Sequence, residues 1–180
     1  MQKTQMETTI REILKKAGLE TAFDIADEFH LKVENKPYMQ LVIERHGQRV
    51  SVAHYFQQNG DAMRDPEIEF ILATWLPVWI QQDPVGIFTV AISFSDDGKP
   101  RIHKTMLADL TRFAAKWARN IKTQKFAERG TFTSLTHAAE LRPRVAPDAH
   151  LEAMYEELSQ TGDETEPYES SPYDGTFSEE

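Results

Sequence analysis

The residues best suited to chemistry are one imidazole and three carboxylates that fall within fourteen positions: His54, Asp61, Asp65 and Glu67. Carboxylate and imidazole side chains are the ligands that magnesium, manganese and zinc sites use. A metal-dependent hydrolase or nuclease built on this acid-rich hairpin is therefore one hypothesis. The segment Glu67-Ile68-Glu69 lacks the lysine of a nuclease-type Glu-x-Lys pattern. A solvated loop with structural acids would show the same residues.

His54 decides between these interpretations. It alternates with Val50, Val52 and Phe56 along one expected strand face, which is the pattern of a half-buried strand. If the imidazole is buried and hydrogen-bonded, it belongs to the scaffold. If it lies exposed beside the carboxylates, it belongs to a site.

Other enzyme signatures are missing from the sequence. There is no cysteine, which removes disulfides, thiolate metal sites and cysteine nucleophiles. There is also no glycine-rich phosphate loop, no G-x-S-x-G elbow and no His-Glu-x-x-His motif. We therefore expect no cofactor and no bound metal, and we favour a non-enzymatic protein.

A basic surface is the second candidate site. Residues 99–144 hold eleven Lys and Arg and only three Asp and Glu. On a helix, cations on one side can neutralise phosphates or bind an acidic protein, although a solvated helix face has the same pattern. The predicted contact residues are Arg101, Lys104, Arg112, Lys116, Arg119, Lys122 and Arg129.

The carboxyl-terminal segment is the third candidate. Residues 151–180 hold ten acids and no Lys or Arg, whereas residues 1–150 hold 19 acids and 20 bases, so the net charge of −9 belongs to this segment. We expect a short amphipathic helix followed by a disordered acidic tail over residues 146–180. The partner-binding stripe of that helix would be Leu151, Met154, Tyr155 and Leu158.

Residues 1–145 are expected to form a single α+β domain that positions these sites. Period-two alternation and turn signals predict an antiparallel meander of about five or six strands, with residues 86–94 as one strand. Pro77 suggests an edge or a bulge, and residues 59–66 are expected to form a loop, with the next strand starting near Glu67. Residues 19–28 fit a short helix or a loop.

Two helices are expected to cover this sheet. An amphipathic helix over Gln5–Ala17 has Thr4 and Glu7 at capping-box spacing and Gly18 as its stop. A long helix over 105–129 ends at Gly130, and its apolar arc should face the sheet. That arc consists of Met106, Leu110, Phe113, Ala114, Trp117 and Ile121.

The block HYFQQNGDAMRDPEIEF, with YMQLVIERHG before it and WLPVWIQ after it, resembles a domain-of-unknown-function family encoded on bacterial plasmids, conjugative elements and phages. The resemblance spans about residues 30–95 and implies a mobile-element setting without implying an activity. The basic helix and acidic tail lie outside that block. The recurrent positions are Ser51, Ala53, His54, Tyr55, Gln58, Asn59, Gly60, Asp61, Asp65, Pro66 and Glu67.

Together these observations favour a cytoplasmic, non-enzymatic accessory protein of a mobile genetic element that binds nucleic acid or protein. The sequence lacks a signal peptide and any apolar run long enough to cross a membrane, so no membrane partner is expected. Two alternatives stay open: the metal-dependent hydrolase or nuclease, and an anti-defence protein whose acidic tail mimics DNA.

Overall fold

The computed structural model describes residues 3–95 and 98–135. The expected terminal helix and acidic tail over residues 146–180 lie outside the described residues. So do the four predicted stripe residues Leu151, Met154, Tyr155 and Leu158.

Helix α1 spans Gln5–Ala17, as the capping signals predict. The Thr4 hydroxyl oxygen accepts a hydrogen bond from the Glu7 main-chain N–H at 3.1 Å. Gly18 ends the helix in the left-handed conformation, with φ of 71°, which costs glycine little because it has no Cβ. For residues 19–28 the sequence allows a short helix or a loop, and the structure has a short helix there, α2 (Glu20–Ile25).

In the part of the chain that the structure describes, seven strands form one antiparallel sheet, and two more form a hairpin. The strands are β1 (Glu28–Glu34), β2 (Gln40–His46), β3 (Arg49–Gln58), β4 (Asp61–Ile71), β5 (Pro77–Gln82), β6 (Ile87–Val90), β7 (Ile92–Phe94), β8 (Pro100–Ile102) and β9 (Thr131–Ser134). The large sheet has the order β6-β5-β4-β3-β2-β1-β9, and β7 pairs with β8. The predicted meander corresponds to β1–β6, and β9 adds a seventh strand beside β1.

The strand predicted over residues 86–94 is divided at Ala91. The Ala91 N–H donates to the Val78 carbonyl and its own carbonyl accepts from the His103 N–H. The chain therefore leaves the large sheet after β6 and enters the β7–β8 hairpin. Strands β8 and β9 have only three and four residues, which is too short for a period-two signal.

The expectation of a loop over residues 59–66 was wrong. Asn59 and Gly60 have positive φ of 54° and 93°, and they form a two-residue turn of the kind that matches strand twist. Strand β4 therefore starts at Asp61 and not near Glu67. It continues through Asp65-Pro66 because a bulge lies there: Ala53 pairs with Glu67, but Tyr55 pairs with Arg64. Pro77 also adjoins a register shift, in an interior strand.

The long helix is broken, contrary to the single helix predicted over 105–129. Helix α3 spans Lys104–Thr123 and α4 spans Phe126–Arg129. Between them Lys125 has φ of 62°, so the chain turns and buries Phe126 in the core. Phe113, expected on the buried arc, is 36% exposed.

The core lies between the helices and one face of the sheet. The strands contribute alternate residues, among them Leu31, Ile43, Val52, Ile68 and Phe70, all fully buried. The helices contribute a single apolar layer that belongs to the same cluster: Ile10, Leu14, Phe23, Leu110, Trp117, Ile121 and Phe126. The α+β class and the two-helix cover are thereby confirmed. None of the described helices has the length and apolarity needed to cross a membrane.

Gly130 connects α4 to β9 at a position where a side chain would clash with its neighbours. A Cβ at this position would lie 2.4 Å from the Phe126 oxygen and 2.4 Å from Val33 Cγ1. We expect Gly130→Ala to lower the free energy of unfolding by about 1–3 kcal/mol through overpacking, measured by urea denaturation. Thr133→Ala, at an exposed position of the same strand, should change it by less than about 0.5 kcal/mol. Equal effects of the two substitutions would contradict this prediction.

Candidate functional site

A pocket of about 560 Å³ opens between α3 and the β3–β4 bulge. Its lining combines aromatic rings, two prolines and a methionine with polar groups: an imidazole, two amides, a carboxylate and a lysine. The lining residues are Pro37, Tyr38, Met39, His54, Asp65, Pro66, Phe113, Lys116, Trp117, Asn120 and Gln124. This volume lies within the range of about 300–1,000 Å³ that small-molecule pockets have.

The bulge explains why two of the predicted catalytic candidates meet here. At a bulge, two residues of one strand oppose a single residue of its partner. Asp65 and Pro66 lie opposite His54 in this way. All three side chains consequently face the helices and line the pocket.

His54 is buried, hydrogen-bonded and in contact with the pocket. Only 6% of the residue is exposed, and its ring centroid lies 5.5 Å from those of Trp117 and Phe126. Its Nδ1 is 3.1 Å from the Gln40 carbonyl oxygen. Because a carbonyl only accepts, Nδ1 carries the proton, and Nε2 is the acceptor.

Burial keeps His54 uncharged. Loss of water around the ring lowers the pKa of His54, and this outweighs the opposing effects of the Gln40 carbonyl and the Asp65 carboxylate. The ring is thus neutral at pH 7. The hydrogen-bonded core histidine was one of the two sequence hypotheses, and its contact with the pocket is the feature that this hypothesis missed.

The other two acids do not join His54 and Asp65. Glu67 lies on the opposite sheet face, where it accepts a 2.6 Å hydrogen bond from the Ser51 hydroxyl and lies 3.6 Å from the Arg64 guanidinium. Asp61 is exposed at the hairpin end. Within the described residues, no group of three or more His, Asp or Glu side chains could hold a metal ion. The four candidates therefore do not form one catalytic centre.

A polar network occupies the face on which Glu67 lies. Asp83 Oδ2 accepts hydrogen bonds from the Arg64 main-chain N–H at 2.8 Å and from its Nε at 3.0 Å. These bonds lower the pKa of Asp83. Burial, with the nearby carboxylates of Glu67 and Glu44, raises the pKa of Tyr55 to about 12. The network ties β3, β4 and the segment after β5 together, which is a structural role.

All seven predicted basic residues are exposed, and some have partners. Lys122 Nζ lies 2.9 Å from Glu12 Oε1, and Arg119 donates to Gln5 Oε1 at 3.0 Å. Arg112 pairs with Asp109. Such exposed pairs are weak and are screened by salt, so their cations can still meet a phosphate.

Lys116 joins the basic face to the pocket. It lines the pocket and has no ion pair with any residue in the described part of the chain. Arg112 is one turn before it on α3. The cationic face and the pocket thus form one continuous surface.

Among the pocket residues that sequence reasoning missed are Tyr38, Asn120 and Gln124, and it placed Phe113 on the buried arc. Asn120 lies in the last turn of α3 and Gln124 is the residue that caps its carboxyl end; a spacing of four positions places them on one face. The Oε1 atom of Gln124 is buried and has no hydrogen-bond partner among residues 3–95 and 98–135. Tyr38 enters from the β1–β2 connection, which no helix periodicity could indicate.

A family model described as a domain of unknown function, DUF6908, matches residues 8–127, which is 120 of the 180 residues. The match is longer than the expected block of residues 30–95 and includes α3. The expectation that the basic helix lies outside the family domain was therefore wrong. No curated protein and no solved structure matches the chain.

The buried neutral imidazole predicts a particular pH dependence. Because the folded-state pKa of His54 is depressed below the ordinary 6.5, the unfolded chain binds the proton first as pH falls. The stability that His54 contributes is complete above about pH 6.5 and is lost as pH falls through the folded pKa. We expect His54→Gln to show a shallower loss of unfolding free energy between about pH 7.5 and 5.

The matched control for this measurement is Ile68→Val, which lowers stability by about 0.5–1.5 kcal/mol without removing a titrating group. Its pH slope should run parallel to that of the wild type. Parallel slopes for the wild type and His54→Gln would instead show that the imidazole is not the buried neutral group described here.

Proposed function

The chain belongs to the DUF6908 family, and we propose that it is a non-enzymatic protein that binds unpaired nucleic acid on the α3 face. We also propose that it acts in the cytoplasm as an accessory protein of a bacterial mobile genetic element. The mobile-element setting is inferred from the family resemblance of the motif that contains His54 and Asn59-Gly60.

One observation carries the proposal: exposed cations on α3 border an aromatic pocket. Lys104–Arg129 contains seven bases and two acids, and Lys116 lies at the junction with Phe113 and Tyr38. Tyr38 is 43% exposed and Phe113 36% exposed. Proteins that bind single strands combine a cationic track for the backbone with aromatic rings for the bases.

For an acidic protein partner the cations alone would suffice, and a pocket lined by rings would not be needed. A double-stranded partner would likewise leave its bases stacked and out of reach of Tyr38 and Phe113. The combination of both features is what favours an unpaired strand. The separation of Asp61 and Glu67 from the pocket supports binding over metal-dependent hydrolysis.

Lys116→Glu should weaken binding of a fluorescein-labelled single-stranded oligonucleotide of roughly ten nucleotides. We expect the dissociation constant to rise roughly three- to tenfold at low salt, and the slope of log K against log salt to fall by about one. Fluorescence anisotropy at several salt concentrations measures both quantities.

The control is Lys32→Glu, the same charge reversal on the sheet face away from the helices, where Lys32 alternates with buried Leu31 and Val33. It should leave affinity and salt slope near wild type. Equal losses for the two variants would point to net charge alone. Absence of salt-dependent binding by the wild type would overturn the proposal and leave an acidic protein as the partner of this face.

The acidic segment offers a further check on the same surface. We expect a full-length variant, in which the ten acids of residues 151–180 are replaced by Gln and Asn, to bind the oligonucleotide more tightly if these acids compete for the basic face. Unchanged affinity would instead favour a separate role for the segment, such as mimicry of DNA charge toward another protein.

A further inference from the structure

The pocket beside Lys116 has the features of a site for one planar heteroaromatic group. We propose that it binds a single unpaired nucleobase of a strand whose phosphates lie along α3. This inference rests on the proposed function and identifies the part of the ligand that the pocket recognises.

The walls of the pocket suit a flat ring. Trp117 and His54 stand edge to face with centroids 5.5 Å apart, and Phe113 and Tyr38 are partly exposed at the mouth. Every nucleobase has a π-face that stacks on such rings. An aliphatic ligand could fill the space but would gain nothing from ring stacking.

The polar atoms in the pocket suit the edge of a base. Gln124 lines the pocket, and its Oε1 has no hydrogen-bond partner among the described residues, so a rotation of the side chain would offer this acceptor to a base amino group. Asn120 supplies both a donor and an acceptor. Neutral His54 offers Nε2 as an acceptor, because Nδ1 is committed to the Gln40 carbonyl.

Asp65 determines which end of a nucleotide enters. Its carboxylate lines the pocket and is held by a 2.9 Å hydrogen bond from Gln82 Nε2 to Oδ1. A phosphate inside the pocket would meet this negative charge, whereas a base N–H would donate to it. The cation at the rim, Lys116, is the group that suits the phosphate. The base is therefore inside and the backbone outside.

A base can reach this pocket only from an unpaired strand, or after leaving the duplex stack. The contacts argued above involve no sugar, so DNA and RNA are both compatible sources. DNA and RNA would present the same kind of base to the pocket, so oligomers of each sugar are tested separately.

The test compares two single-stranded oligomers of equal length and charge, one with bases and one built of abasic units, in both DNA and RNA series. We expect the base-containing oligomer to bind the wild type roughly tenfold more tightly than its abasic counterpart. Phe113→Ala should remove most of this difference and leave the affinity for the abasic oligomer unchanged. Fluorescence anisotropy at one fixed salt concentration measures all pairs.

Two further variants separate the pocket from general aromatic exposure and from folding effects. Phe88→Ala removes a ring that is 61% exposed on β6, away from the pocket lining, and should keep the base dependence. Gln124→Met removes the amide at similar size and should reduce the base dependence without lowering the thermal midpoint, because the Oε1 that it removes is buried and unpaired among the described residues. Base dependence in either sugar series supports the inference.

Equal affinity for base-containing and abasic oligomers in both series would overturn the base pocket and leave backbone binding intact. Base dependence that Phe88→Ala removes as fully as Phe113→Ala would also overturn it. Failure of both oligomers to bind the wild type would overturn the proposed function itself, so the two failures are distinguishable.

Discussion

The register of β3 against β4 determines which side chains meet beside α3. Val52 pairs with Ile68 on one side of the bulge and Tyr55 with Arg64 on the other. The extra residue between these pairs turns Asp65 toward the helices, while Glu67 remains on the far face. A regular strand would have kept the two carboxylates together, since residues two apart share a face.

The pattern in the sequence therefore predicted the strands but not the site. Alternation identified the meander, and Thr4, Glu7 and Gly18 located α1 because caps are local signals. The same alternation, applied across Asp65-Pro66, grouped acids that the bulge separates. A bulge depends on two strands at once, so a single strand's pattern does not reveal it.

The sequence did not predict the pocket, for a related reason. Tyr38, His54 and Asn120 come from a connection, a strand and a helix that are far apart in sequence, and only the packed domain brings them together. The basic face was predictable because α3 alone creates it. The break at Lys125 was not, since Lys has no special tendency to adopt positive φ, and the burial of Phe126 is what holds the chain in that turn.

The edge strand β6 has a consequence for self-association. Within the described residues the large sheet ends at β9 on one side and at β6 on the other, and β6 pairs only with β5. Its Ile87, Phe88 and Val90 are each at least 40% exposed, and such an edge is a template for pairing with another chain. Because β6 has only four residues, any such ladder is short. Residues 87–90 therefore combine main-chain groups that are unpaired among the described residues with exposed apolar side chains, and another chain that added a strand to this sheet would meet both.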